Sequence, residues 1–179
     1  MLFLSSCRHA PSSHIVRRAL VRWGCAGVLG IAFSSASAGT EECQSLLIKR
    51  ELVSAQAICA QAVIDQQHAA RGGQRTELAS LAKAHDNLGS LYMLQKRHGE
   101  AEEQYKAGLK ARLKAFGSDH HLQVISILPL ADALILQNKL AEAEPLLVKA
   151  LRLREVGLGP RSEATAQAHH ALGVLYTRT

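Results

Sequence analysis

Apolar residues recur at intervals of three and four along residues 77–95, which is the spacing of one face of an α-helix. The residues on this face are Leu78, Leu81, Ala82, Leu88 and Tyr92. A turn at 96–99 follows, and a second apolar face predicts a helix over 100–116. Gly117 would end that helix, and Ser118 would cap the next one. No segment alternates between apolar and polar residues, so the pattern predicts an all-α chain.

The same pattern returns further along the chain with a 42-residue period. At least eight positions carry the same residue in both copies without a gap, and a fixed period of this size indicates stacked helical units. The second copy predicts helices over 122–137 and 141–156, and a last helix is predicted over 162–176. Eight of these identical pairs are Leu88 and Leu130, Gln95 and Gln137, Glu100 and Glu142, Ala101 and Ala143, Glu102 and Glu144, Leu109 and Leu151, Arg112 and Arg154, and Gly117 and Gly159.

Basic, apolar and small residues follow one another near the N-terminus. Three arginines precede the apolar run 24–33, and an A-x-A site ends at Ala38. The arginines are Arg17, Arg18 and Arg22. This order predicts a secretory signal peptide over 1–38 that is cleaved after Ala38, which would place the protein in the bacterial periplasm or outside the cell. The apolar run is too short to span about 30 Å of hydrocarbon, but an uncleaved anchor stays the alternative.

Composition and charge restrict the class of protein. The chain has 179 residues, 47% of them apolar and 20% charged, which is enough for one modest domain. The formal net charge of +6 is unevenly placed, because residues 1–38 hold four of the 21 basic residues and no acidic residue. The other 17 basic residues face 15 acidic ones. The positive charge therefore belongs to the predicted leader, and no nucleic-acid-binding surface is expected.

Four short motifs in residues 76–179 place a small residue three or four positions before an aromatic or leucine side chain. The motifs are Leu88-Gly89-x-x-Tyr92, Leu172-Gly173-x-x-Tyr176, Ala101-x-x-x-Tyr105 and Ala143-x-x-x-Leu147. They resemble the tetratricopeptide repeat, and the period together with segment 140–160 resembles its kinesin-light-chain type. The resemblance implies an α-solenoid of about three antiparallel helix hairpins with a C-terminal capping helix. Residues 76–179 would form the repeat domain.

Residues 39–75 are interpreted as a degenerate N-terminal helical hairpin of the same kind. When Ala55 is aligned with Ala101, Cys43 aligns with Gly89 and Cys59 with Tyr105. In this family, these two positions face each other between paired helices. The resemblance thus implies a disulfide between Cys43 and Cys59, which an exported protein would retain. Buried free thiols remain the alternative.

The resemblance also implies which side chains line the concave surface and contact a partner. They are Asp86, Asn87, Ser90 and Met93 in the first clear repeat, Leu128, Asp132 and Ile135 in the next, and His170, Val174 and Thr177 in the last. Only Asp86 and Asn87 keep the character of the asparagine pair that the kinesin-light-chain type usually carries, since Leu128-Pro129 and His170-Ala171 depart from it. A mixed apolar and polar groove is expected to hold a helix or loop of a protein partner.

No motif indicates catalysis, a cofactor or a metal site. The chain has no nucleophile elbow, phosphate loop or dinucleotide fingerprint. The pairs His120-His121 and His169-His170 would not converge on one ion, because adjacent residues of a helix point in different directions. We therefore expect an exported, non-catalytic protein-binding module without a cofactor. A structural subunit that self-associates, or an assembly or regulatory factor of a cell-envelope or secretion complex, remains the alternative.

Overall fold

The structure is a computed structural model in which residues 32–178 are described, with side chains from residue 38 onward. This part of the chain forms seven α-helices and no strand. The helices are α1 (Ala32–Ile48), α2 (Leu52–Ala69), α3 (Arg75–Leu94), α4 (His98–Phe116), α5 (Val124–Leu136), α6 (Leu140–Leu158) and α7 (Glu163–Tyr176). The predicted all-α class is confirmed, and the helices predicted from residue 77 onward match to within two residues at each end.

Most of the predicted signal peptide lies outside the described residues. The helix α1 begins at Ala32, so cleavage after Ala38 would leave residues 39–48 of this helix. No helix in the described part of the chain is long and apolar enough to cross a membrane.

One residue with a positive φ makes the turn of each hairpin. Arg50 (φ 57°) follows α1, Lys96 (φ 61°) follows α3 and Asn138 (φ 61°) follows α5. Glycines end the second helices of the last two hairpins, since Gly117 (φ 84°) follows α4 and Gly159 (φ 87°) follows α6. Glycine tolerates this backbone region because it has no Cβ. The helix stop predicted at Gly117 is therefore confirmed.

The helix cap predicted at Ser118 is wrong. The hydroxyl of Ser118 donates a hydrogen bond to its neighbour Asp119 and reaches no backbone amide of the next helix. His120 instead caps the short 3-10 turn at His121–Gln123, because its Nδ1 accepts a hydrogen bond from the amide of Leu122 at 3.2 Å. This turn leads into α5, which begins after Gln123 without a side-chain cap of its own.

The helices stack in two rows. In the inner row, α1 packs against α3, α3 against α5, and α5 against α7. The outer helices α2, α4 and α6 contact the inner row on both sides but do not contact one another. Because the inner helices lie closer together than the outer ones, the stack curves toward the inner row. This is the α-solenoid that the sequence predicts.

Buried apolar side chains join each hairpin to the next. The largest cluster lies among α4, α5, α6 and α7, and its members Leu130, Leu134, Leu147 and Leu175 are at most 2% exposed. A second cluster joins α1 and α2 to α3 through Cys43, Cys59, Leu88 and Leu91. Cys43 and Cys59 form a disulfide, with their Cα atoms 5.0 Å apart, so the predicted pairing is confirmed.

A buried carboxylate also connects α4 to the following hairpin. Glu102 is 7% exposed and accepts hydrogen bonds from Lys106 at 2.5 Å, Lys139 at 2.8 Å and Gln137 at 2.9 Å. Burial raises the pKa of Glu102, but these three hydrogen bonds outweigh burial and lower the pKa to about 2. The ionised carboxylate therefore stabilises the folded chain.

This arrangement predicts a loss of stability in acid. The folded pKa of Glu102 lies below its ordinary value of 4.5, so its contribution is complete above pH 4.5 and is lost as the pH falls toward about 2. We expect about 1–2 kcal/mol, because both lysines are partly exposed and solvent screens them. Denaturant unfolding of E102Q should show this loss at neutral pH and a weaker pH dependence in acid. E103Q, at an exposed neighbouring position, is the control, and identical curves for the two variants would contradict the prediction.

Candidate binding surface on the inner helices

Each inner helix leaves one side open between its neighbours. The helix α5 is covered by α4 and α6 from the outer row and by α3 and α7 along the inner row. Its residues Ile125, Pro129, Asp132 and Leu136 are exposed or half-buried, and they form a single stripe because they are spaced by four, three and four positions. The equivalent stripes are Lys83, Asn87, Ser90 and Leu94 on α3, and Gln167, Ala171, Val174 and Arg178 along and just after α7. We call these three stripes together the inner face.

The inner face exposes large apolar side chains. Leu94 is 42% exposed, Ile125 is 45% exposed and Leu136 is 48% exposed. Outside these three stripes, Ile48 at the end of α1 is 77% exposed. None of the four was among the predicted contact residues. The sequence did contain a signal, because Leu94 and Leu136 are identical residues one repeat apart. These side chains give a partner an apolar surface that costs little to desolvate.

The residues predicted on α3 mostly hold helices together. Asn87 donates a hydrogen bond from Nδ2 to the carbonyl of Thr40 on α1 at 3.1 Å. Ser90 donates to the carbonyl of Asp86 at 2.9 Å, and its hydroxyl lies 3.2 Å from that of Tyr105. Met93 packs against the largest apolar cluster. The polar atoms of Asn87 and Ser90 are therefore already engaged within the fold.

Asp86 belongs to a buried network that joins three helices. Its carboxylate forms an ion pair with Arg112 of α4 and accepts a hydrogen bond from Ser126 of α5 at 2.8 Å. Arg112 also donates from Nε to Ser126 at 2.9 Å. Burial raises the pKa of Asp86, and Arg112 and Ser126 oppose that rise. Gly108 makes room for the network, since a Cβ there would lie 2.6 Å from Oδ1 of Asp86.

The predicted residues of α5 differ in their exposure. Leu128 is half-buried and packs against two apolar clusters. Ile135 is only 5% exposed, because it points into the largest cluster, whereas its neighbour Leu136 faces solvent. Asp132 reaches solvent on the open stripe. Burial of its carboxyl by the surrounding helices raises its pKa, and the charge of His170 opposes this rise.

The predicted residues of α7 lie on or beside the open side of that helix. His170 and Thr177 are exposed, and Val174 is half-buried. Thr177 donates a hydrogen bond to the carbonyl of Val174 at 2.8 Å. Partner contact by the ten predicted residues stays a prediction, and eight of them reach solvent at least in part.

Among the described residues, no group of three or more histidine, cysteine or acidic side chains is placed to hold a metal ion. The Asp86 network and the bond from Asn87 to Thr40 connect one helix to another. The inner face therefore presents a concave surface with exposed apolar side chains and a few charged ones.

Comparison with known protein families agrees with this geometry. A family model described as the tetratricopeptide repeat matches residues 80–155 and 123–179, which together exceed half of the chain. The chain belongs to the tetratricopeptide repeat family. Tetratricopeptide repeats are generally protein–protein interaction modules built from stacked helix pairs. The α1–α2 hairpin precedes the matched residues. A search of curated proteins found no match.

Proposed function

We propose that this tetratricopeptide repeat protein is an exported, non-catalytic binding module whose inner face holds a helix or loop of another protein. The observation that carries the proposal is the exposure of Leu94, Ile125 and Leu136 along the concave row of helices. Exposed apolar side chains on a preformed concave surface are typical of a protein-binding site.

The fold favours binding without much reorganisation. The Asp86 network and the disulfide hold the inner helices in place before a partner arrives. A rigid groove lowers the entropy that must be lost on binding. Because Asn87 and Ser90 already bond within the fold, recognition would depend mainly on apolar contacts rather than on asparagine contacts to a peptide backbone. The 42-residue period supports the kinesin-light-chain type of repeat.

Two observations support export to the periplasm or the cell exterior. Segment 1–38 has the order of basic, apolar and small residues that signal peptides share. The Cys43–Cys59 disulfide is compatible with an oxidising compartment, because cytosolic reductants keep most thiols reduced. Cleavage after Ala38 would leave both cysteines in the mature protein.

Replacing Leu136 with aspartate should abolish most of the binding to the inner face. A buried leucine contributes about 1.5–3 kcal/mol, so a charged residue there should weaken the complex at least about tenfold. The wild-type chain is first used to isolate its partner from envelope extracts, and the identified partner is then purified and titrated calorimetrically. Circular dichroism of L136D should show an unchanged fold, since Leu136 is 48% exposed.

The matched control is V148D on α6. Val148 is 49% exposed, nearly the same as Leu136, but it lies on the outer row. We expect V148D to bind like the wild-type chain. Equal weakening by both variants, or by V148D alone, would place the site elsewhere, and so would a partner that binds L136D with full affinity.

A further inference from the structure

Two arginines occupy equivalent positions one repeat apart, but among the described residues only one of them has hydrogen-bond acceptors beside its guanidinium. Arg112 on α4 is fully engaged, since its guanidinium binds the carboxylate of Asp86 and the hydroxyl of Ser126. Arg154 on α6 occupies the same frame one repeat later.

Both partners of Arg112 are replaced in the next repeat. Leu128 takes the position of Asp86, and Ala168 takes the position of Ser126. Neither side chain can accept a hydrogen bond. Leu128 packs in the apolar clusters and Ala168 is fully buried, so the α5–α6–α7 junction is apolar where the preceding junction holds a carboxylate and a hydroxyl.

Within residues 38–178, whose side chains the structure describes, the guanidinium of Arg154 has no acceptor. Its Nε is buried and has no hydrogen-bond partner, and no acidic side chain of the described chain forms an ion pair with it. Burial lowers the pKa of Arg154, with no carboxylate opposing that shift. The residue is only half-buried, so part of the side chain stays accessible to solvent. An arginine in this state favours an anion supplied from outside the chain.

We propose that Arg154 binds a carboxylate side chain of the partner, in the role that Asp86 plays for Arg112 one repeat earlier. The inference rests on the proposed function for the source of the carboxylate. A carboxylate is the expected anion because the chain itself pairs this arginine position with a carboxylate, and the planar guanidinium matches carboxylate geometry. The partner segment would carry an aspartate or glutamate that reaches the accessible part of the Arg154 side chain.

Acetate serves as the probe, so the test does not depend on the partner. Nitrogen–proton NMR spectra of arginine Nε groups are recorded on the full chain during titration with sodium acetate and, at equal ionic strength, sodium chloride. The signal that disappears in R154K identifies Arg154. We expect a saturable shift of that signal with acetate, and no shift of the Arg112 signal, because Arg112 is already paired.

Two variants decide whether the anion occupies the predicted position. L128D/A168S supplies the missing carboxylate and hydroxyl within the chain, so we expect it to abolish the acetate-dependent shift. Acetate, compared with chloride, should raise the melting temperature of the wild-type chain but not that of R154K. This measurement does not depend on whether the double variant folds. No saturable shift in the wild-type chain, or the same rise in R154K, would overturn the proposal.

The test separates this inference from the proposed function. If acetate binds at Arg154 but L136D does not weaken the partner complex, the anion site stands and the inner-face function fails. If L136D weakens the complex while acetate leaves Arg154 unaffected, the function stands and the anion site is wrong. When both hold, R154K should weaken the identified partner by about tenfold in the calorimetric titration.

Discussion

Replacing Arg112 with methionine is expected to lower the free energy of unfolding by about 3–5 kcal/mol. The side chain of Arg112 is 8% exposed and that of its partner Asp86 is 12% exposed, so removing the arginine leaves a buried carboxylate without a counter-charge. Ser126 also loses the donor that its hydroxyl accepts from. Because the network joins α3, α4 and α5, the loss should appear as cooperative unfolding at lower denaturant concentration.

A double variant distinguishes the lost pair from the lost packing. D86L/R112M removes both charges and gives the first site the leucine that the next repeat carries as Leu128. We expect it to be more stable than R112M, because it leaves no unpaired buried charge. The matched control is R152M, which breaks the exposed Arg152–Asp119 pair and should change stability little. Equal losses in R112M and R152M would contradict the assignment of a buried network.

Reducing the Cys43–Cys59 disulfide is expected to cost about 3 kcal/mol of stability. The two residues are 16 positions apart, so the bond closes a loop that restricts the unfolded chain. Thermal unfolding with and without a reducing agent measures the effect. C59A should unfold at the same temperature under both conditions, which shows that the reductant acts on this bond. A melting temperature of the wild-type chain that does not respond to reductant would contradict the prediction.

The same purified protein tests the proposed export. Its intact mass under nonreducing conditions should be lighter than the reduced mass by the hydrogens that disulfide formation removes. A periplasmic product whose first residue is Gly39 would support cleavage after Ala38. A membrane-bound product that keeps residues 1–38 would favour the anchor instead.

The order and pairing of the helices followed from local features of the sequence. Apolar spacing defined α3 to α7, and the identities at a 42-residue period, such as Leu88 with Leu130, indicated that the hairpins stack. The stop at Gly117 depends only on the freedom of glycine at positive φ. The resemblance to the tetratricopeptide repeat also implied that Cys43 and Cys59 face each other between paired helices, and the structure bonds them.

The position of each side chain relative to the neighbouring helices required the tertiary structure. Asp86 and Leu94 lie on the same helix, and their residue types suggest an exposed carboxylate and a buried leucine, whereas the structure buries Asp86 and exposes Leu94. The reason is that Arg112 and Ser126, which are distant in sequence, pair with the carboxylate of the aspartate. At the other end of α3, Leu94 stays 42% exposed.

The two equivalent arginines separate what sequence and tertiary structure each determine. The 42-residue period alone identified Arg112 and Arg154 as one repeated position. Only the packing shows that Arg112 is paired and that Nε of Arg154 is buried without an acceptor. Helix formation depends on residues three or four positions apart, which the sequence displays directly. The energy of a buried charge depends on groups that distant segments bring together, and only the folded chain establishes which groups those are.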